Sequence, residues 1–237
     1  MENLIQQINP QWAPLVTKAL GSMDPNYLLS LKNDQSWLPG EANLFAAFNV
    51  PLSTARFVLL GESPYPRAFS ANGYAFWDNA VKDIWSATGL SKEANKATSL
   101  RNLIKMLLYA RGDINSNFSQ EAIAKINKSN LVQTGSELFQ SFLNKGFLLL
   151  NASLVYSDKK VPYHAKAWRP FMHSLLTQLA QENPSLQLIL FGKIAHQIPE
   201  IDLFSHLIAE HPYNISFITN PKVVEFFRPM DLLLKND

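Results

Sequence analysis

Four short apolar runs constrain the fold of this chain more than any other feature of its sequence. They lie at residues 56–60, 146–154, 186–191 and, more weakly, 205–211, and each ends at glycine or polar residues. Runs of roughly four to six apolar residues, bounded in this way, are typical of strands that are buried on both faces. We therefore expect these segments to form one sheet with both of its faces covered.

Helical patterns lie between these runs. Apolar residues recur at helical spacing in 99–112, where Ser99 is the expected N-cap and Gly112 the expected stop. Similar patterns occupy 136–146 and 169–184. Because strands alternate with helices, the sequence predicts an α/β fold with a central, mostly four-stranded parallel sheet and helices on both faces.

Nothing in the sequence marks a linker, so we expect a single domain over residues 1–237. Residues 1–36 are expected to form a helical lead-in to this domain. The segment 111–135 is rich in Asn, Ser and Gln and is expected to be a long excursion that holds one helix. With 47% hydrophobic residues, the chain can bury a sizeable core.

Composition and charge exclude several classes of protein. The chain has no cysteine, which excludes disulfides, thiolate nucleophiles and cysteine-based metal sites. Its five histidines show no close pair with metal-ligand spacing, so we expect no metal and no cofactor. The N-terminus lacks a signal-peptide pattern and no apolar run approaches the roughly 18 residues of a membrane span, so we expect a cytoplasmic protein. A net charge of +2 does not by itself indicate nucleic-acid binding, and any basic face must be local.

Polar residues follow the predicted strands at 61–65, at Asn151, at 192–193 and at 211–212. The ligand site of an open parallel sheet lies at the carboxyl ends of its strands. We therefore expect these groups to converge on one pocket, which suits a small molecule or a nucleobase.

Four short motifs resemble those of the uracil-DNA glycosylase family. They read GESPYP at 61–66, GYAFW at 73–77, LLLN at 148–151 and HPYNIS at 211–216, where the family has GQDPYH, GLAFS, LLLN and HPSPLS. The resemblance spans roughly residues 37–230, with the motifs in the family's order. It implies a protein that acts on a base flipped out of DNA into a tight pocket.

The resemblance also implies roles for individual residues. Phe76 would stack on the flipped base, and the amide of Asn151 would read its hydrogen-bonding edge, because an amide offers both a donor and an acceptor. Tyr65 would crowd the C5 edge and exclude the methyl group of thymine. His211 would donate a hydrogen bond to O2 as charge develops on the departing base.

Further residues would contact the DNA. The resemblance places Ile215 at the position of the apolar wedge that fills the gap left by the flipped nucleotide. Contacts to phosphate, which position DNA without reading its sequence, are expected from four side chains: Arg67, Ser99, Lys193 and Ser216.

The chain departs from the family chiefly where water is activated. Ser63 stands in place of the family's aspartate and Glu62 in place of its glutamine, so Glu62, or a water held by Ser63, would have to activate the nucleophile. In addition, Pro66 replaces a histidine, Tyr213 replaces a small serine, and Asn214 replaces the second proline of the histidine loop.

Two classes of function follow. The first is a monomeric DNA glycosylase of base-excision repair, which hydrolyses the N-glycosidic bond of uracil or a related deaminated base in single- or double-stranded DNA. The second is a DNA- or lesion-binding homologue with weak or no catalysis, which the loss of the aspartate favours. A nucleotide hydrolase is disfavoured because the sequence has neither a P-loop nor an acidic metal cluster. Taken singly, each residue also suits an ordinary role, such as Phe76 in a core or Asn151 at a turn.

Overall fold

The computed structural model describes residues 2–235 and divides them into two compact units. The first unit contains the described residues up to 77 together with 146–206. The second contains 78–145 together with the described residues from 207 onward.

The central sheet is parallel and has four strands: β1 (Phe57–Gly61), β2 (Phe147–Asn151), β3 (Gln187–Phe191) and β4 (Ser205–Ala209). Their order across the sheet is β2-β1-β3-β4. β1 pairs with β2 from Phe57 opposite Phe147 to Gly61 opposite Asn151, and it pairs with β3 on its other edge. The predicted α/β fold is confirmed, and all four apolar runs contain a strand. The strands β2 and β4 end earlier than their runs, at Asn151 and Ala209.

The first unit buries one face of the sheet in a large apolar cluster. Val58 and Leu60 of β1 belong to this cluster, as do the fully buried rings of Trp12, Trp168 and Phe171. The α-helices of this unit are Glu2–Ile5, Ala13–Gly21, Pro25–Asn33 and Val161–Glu182. Its 3-10 helices are Pro10–Trp12, Glu41–Asn43, Ala46–Asn49, Leu52–Thr54, Gly192–His196 and Pro199–Leu203.

The long helix Val161–Glu182 begins eight residues before the start that the sequence predicts at 169. Pro162 occupies its first turn, where the missing N–H of proline has no intrahelical partner to lose. Pro170, the second residue of the predicted pattern, lies inside the helix.

The second unit is mainly helical. Its α-helices are Lys92–Lys96, Thr98–Arg111, Gln120–Ala124, Gly135–Asn144 and Pro221–Phe227, its 3-10 helices are Ile215–Thr219 and Arg228–Met230, and Trp85–Ser86 pairs with Gly89–Leu90. The short helix Gln120–Ala124 lies within the segment 111–135. Gly112 ends Thr98–Arg111 with a φ of 85°, but Ser99 is not the N-cap. The helix begins at Thr98, one residue before Ser99, and Ala97 precedes it without a side-chain cap.

Among residues 2–235, no helix combines the length and the apolar character needed to cross a membrane.

A buried polar pair lies inside the first unit. The hydroxyl of Tyr27 and Nδ1 of His164 are 2.8 Å apart, and His164 is only 4% exposed. The ring of Tyr27 also makes edge contacts with Tyr163 and Trp168. Burial, assisted by the nearby positive charge of Lys160, lowers the pKa of His164 below its ordinary value.

Acidification should therefore destabilise the fold through His164. Because its pKa is lower in the folded chain, the unfolded chain binds the proton first as pH falls through about 6.5. The contribution of neutral His164 to the free energy of unfolding is therefore present above that pH and is lost below it. We expect the melting temperature to fall between pH 7 and pH 5, and to fall less steeply in His164→Asn, whose amide can still reach Tyr27. Equal pH slopes for the two proteins, measured by circular dichroism, would contradict this.

Candidate functional site

The register of β1 and β2 places the side-chain amide of Asn151 against the backbone of Gly61. Gly61 lies opposite Asn151 at the carboxyl ends of the two strands. A Cβ added to Gly61 would lie 2.5 Å from Oδ1 of Asn151, which is closer than any side chain allows. Gly61 is therefore required by the close approach of this amide, which is 2% exposed. The asparagine is held at the sheet edge that the sequence predicts for the site.

The loop segment that contains Ala75 and Phe76 is hydrogen-bonded to the same strand end. The backbone N–H of Ala75 donates to the carbonyl of Leu149 at 3.1 Å, and Cβ of Ala75 would meet a Cβ at Gly61 at 3.0 Å. The next residue, Phe76, has a φ of 64°, which is unfavourable for a residue with a large side chain. Its half-buried ring meets Phe191 edge to face, with centroids 6.0 Å apart. Strain of this kind is found where a site demands one particular orientation of a side chain.

Tyr65 is joined to this segment. Its hydroxyl donates to the carbonyl of Phe76 at 3.2 Å, and the buried Pro64 precedes it. Tyr65 and Phe76 are thereby fixed to each other, although eleven residues separate them in the sequence. The structure thus brings three of the predicted base-binding residues to one strand end of the first unit.

Glu62 and Ser63, with Ala152 and Ser153, line part of a cleft of about 700 Å³ in the first unit. The ladder of β1 continues past its end, because the N–H groups of Ala152 and Ser153 donate to the carbonyls of Gly61 and Glu62 at 2.8 and 3.0 Å. Glu62 is exposed and Ser63 is half-buried. The other cleft walls come from Val161–Glu182 and from residues 194–200. A carboxyl group and a hydroxyl are therefore adjacent on a fixed backbone.

The candidate catalytic histidine belongs to the second unit. Nδ1 of His211 accepts a hydrogen bond from the N–H of Tyr213 at 3.1 Å. A neutral imidazole whose Nδ1 accepts must carry its proton on Nε2. His211 therefore presents Nε2 as a donor, which is the form needed to stabilise developing negative charge.

Sequence analysis does not single out Asn102, which holds the loop after His211. This asparagine, 3% exposed on Thr98–Arg111, donates through Nδ2 to the carbonyl of Pro212 at 2.7 Å. The same nitrogen lies 3.4 and 3.5 Å from the carbonyls of Tyr213 and Asn214. A polar residue among the apolar positions of an otherwise amphipathic helix is the signal that could have revealed it.

The remaining predicted residues are accessible to a large ligand. Arg67 and Lys193 are exposed in the first unit, while in the second Ile215 and Ser216 are exposed and Ser99 is half-buried. Among the described residues, no group of three or more His, Cys, Asp or Glu side chains is placed to hold a metal ion.

A buried amide at Asn151, a strained backbone at Phe76 and the hydroxyl of Tyr65 bonded to that backbone are the features that the structure brings to this strand end. The sequence model of the Uracil DNA glycosylase superfamily matches residues 48–231. The chain belongs to this superfamily.

Individual relatives agree with this assignment. The wild-type UNG of Nitratifractor salsuginis is 40% identical and superposes with a TM-score of 0.94, covering 99% of this chain and 97% of that one. A uracil-DNA glycosylase of Helicobacter pylori (strain HPAG1) is 29% identical in an alignment of 203 residues that covers 82% of this chain and 76% of the relative. The uracil-DNA glycosylase of mimivirus, at 18% identity and a TM-score of 0.59 over 86% of this chain and 68% of that one, shares the fold.

Gly61→Ala should displace the amide of Asn151 and weaken binding to a uracil-containing oligonucleotide by about tenfold, the cost of one buried hydrogen bond. Gly21→Ala is the matched control, since a Cβ there meets nothing within 4 Å. In the Asn151→Ala background, Gly61→Ala should cause little further loss. Additive losses, measured by fluorescence anisotropy, would show that the glycine acts elsewhere.

Asn102→Asp should destabilise the second unit, because a carboxylate cannot donate and would face the carbonyl oxygens of the loop. We expect a loss of about 1–3 kcal/mol in the free energy of unfolding, measured in urea. Gln140→Ala removes an exposed amide from the helix Gly135–Asn144 and should change stability by less than about 0.5 kcal/mol. The loop assignment fails if both variants behave alike.

Proposed function

We propose that this protein is a uracil-DNA glycosylase, which hydrolyses the N-glycosidic bond of a uracil flipped out of DNA and so begins base-excision repair. The observation that carries the proposal is the buried amide of Asn151, seated over Gly61 at the strand end where Phe76 and Tyr65 are joined. The names of the relatives in Helicobacter pylori and Nitratifractor salsuginis give independent support.

The base is recognised by shape and by its hydrogen-bonding edge. Asn151 donates to O4 of uracil and accepts from N3–H, a pair of contacts that cytosine reverses. Phe76 provides the stacking surface. Tyr65 occupies the space beside C5 and excludes the methyl group of thymine.

His211 stabilises the departing base. As the bond between N1 and C1′ breaks, its electron pair moves onto the uracil ring and negative charge gathers at O2. Nε2–H of His211 donates to that oxygen, which lowers the energy of the transition state. The hydrogen bond from Tyr213 to Nδ1 keeps the donor proton on Nε2.

Water attacks C1′ of a sugar with oxocarbenium character. The hydroxyl of Ser63 holds this water, and the carboxylate of Glu62 accepts the proton that it loses. The products are a free uracil, which takes up a proton, and an abasic deoxyribose. Ser63 and Glu62 together thus take the role of the single aspartate of the family motif: Ser63 positions the water and Glu62 is the base.

The DNA is held through its phosphates and opened by an apolar side chain. Arg67, Lys193, Ser99 and Ser216 contact phosphates, and Ile215 enters the space that the flipped nucleotide leaves. Affinity should therefore depend on salt even though the net charge is only +2. We further propose that the protein acts as a monomer in the cytoplasm. Single- and double-stranded DNA are both substrates, because the chemistry needs only one flipped base.

The exchange of aspartate for Ser63 favours a second candidate, a homologue that binds uracil in DNA without cleaving it. A hydroxyl is not a base near neutral pH. The two candidates differ only in whether Glu62 activates water.

Cleavage of labelled oligonucleotides decides between them. We expect the wild-type protein to release uracil and to leave alkali-labile sites in both single strands and duplexes. Glu62→Gln should lower the rate by about 10²–10⁴, the usual contribution of a general base. Ser63→Asp should raise it little, because two adjacent carboxylates repel and one is driven toward its protonated form.

Three results would alter the proposal. A large gain in Ser63→Asp would mean that Glu62 is not the base and that the site lacks one. Selective binding of uracil-containing DNA without cleavage by any of the three proteins would establish the binding homologue. Neither cleavage nor selective binding, with hypoxanthine- and xanthine-containing oligonucleotides also inert, would overturn the glycosylase assignment for this chain.

A further inference from the structure

Residues 211–217, which follow β4 and are called the loop after β4, carry the two most exposed large apolar side chains of the described part of the chain. Ile215 is 78% exposed and Tyr213 is 68% exposed. Ile215 has a wedge role in the proposed function, whereas the side chain of Tyr213 has none. A lone exposed apolar side chain is ordinary, but two of them at one loop tip indicate a contact surface.

The backbone that presents these side chains is fixed from several directions. The N–H of Asn214 donates to the carbonyl of His211 at 2.9 Å, and Nδ2 of Asn102 donates to the carbonyl of Pro212. The buried Phe217 anchors the far end of the loop through a 3.2 Å bond from its N–H to the carbonyl of Asn214. A preordered loop meets its partner with a smaller entropy cost than a flexible one.

The spacing of the two side chains suits a stack of bases. Residues i and i+2 have Cα atoms at most about 7 Å apart. Successive nucleotides of one DNA strand rise by about 3.4 Å, so the two side chains can reach neighbouring levels of the stack. Isoleucine is not flat and serves to fill a gap, whereas a tyrosine ring offers a flat face to a base.

We propose that Tyr213 is a second element of the loop that opens the duplex, and that its ring stacks on the base left unpaired opposite the flipped nucleotide. The inference rests on the proposed function, in which a uracil flipped out of a duplex leaves such a base. Stacking compensates part of the pairing and stacking energy lost on flipping. Tyr213 thereby favours duplex substrates without taking part in the chemistry.

The hydroxyl of Tyr213 offers a competing explanation. The family motif has a serine here, and a tyrosine hydroxyl could contact phosphate in the same way. The variants Tyr213→Phe, which keeps the ring, and Tyr213→Ser, which keeps a small hydroxyl, separate the two explanations.

The first measurement is kcat/KM for uracil release from three substrates: a single strand, a duplex with adenine opposite uracil, and a duplex with a tetrahydrofuran abasic analogue opposite uracil. Tyr213→Ala and Tyr213→Ser should lose about tenfold on the adenine duplex, the cost of one stacked base, and little on the other two. Tyr213→Phe should retain full activity on all three. Leu29→Ala, which removes another exposed large apolar side chain, is the control and should match wild type.

Equal loss on the single strand and on the adenine duplex would overturn the proposal. So would a Tyr213→Phe variant as impaired as Tyr213→Ala, which would instead support the phosphate contact.

The second measurement does not depend on cleavage. A duplex carries 2-aminopurine opposite a tetrahydrofuran abasic analogue, and its fluorescence is followed as protein is added. Wild type and Tyr213→Phe should quench it by stacking, whereas Tyr213→Ala and Tyr213→Ser should not. Identical quenching by all four proteins would refute the stacking role even if uracil cleavage is normal. If wild type fails to cleave uracil, the proposed function fails, and the pattern of quenching still decides the role of Tyr213.

Discussion

The close approach of Asn151 to Gly61 is the constraint on which the rest of the site depends. It follows from the parallel register of two buried strands, which ends with these two residues side by side. Apolar residues pack on both faces of the sheet and hold the strand ends in place. The amide of Asn151 is therefore as rigidly positioned as the core. Ala75 packs close to Gly61 as well, and this contact fixes the position of the next residue, Phe76. In the proposed function, recognition of the base would therefore depend directly on the packing of the sheet.

Most of the fold could be predicted from the sequence because its signals are local. Four apolar runs and three helical patterns suffice for a parallel, helix-covered sheet. The errors occur where local signals conflict. The predicted helical pattern starts at residue 169, but the helix begins at Val161, and Trp168 and Phe171 on either side of Pro170 both pack in the apolar cluster. Ser99 resembles a cap but lies inside the first turn.

The candidate site was predictable only in part. Asn151 and Phe76 stand in short motifs, so a resemblance finds them, whereas the geometry that fixes them involves pairs that are far apart in sequence. The bond from Tyr65 to Phe76 and the contact of Asn102 with the loop after His211 belong to this second kind. No periodicity or spacing encodes them, because each depends on where the folded backbone places a carbonyl group. The sequence therefore indicates the proposed ligand-binding residues more readily than the residues that hold them in place.

The positive φ of Phe76 limits which residues can replace it during evolution. Glycine adopts this conformation without cost but has no ring, while isoleucine and valine are strongly disfavoured there because they branch at Cβ. The backbone thus filters the substitutions available at position 76 before the ligand does. Tyrosine and histidine, which keep a flat ring and an unbranched Cβ, are the replacements that preserve both the backbone and the stacking surface of the proposed function. If Phe76 has that role, new base specificities are more accessible through the residues around it than through Phe76 itself.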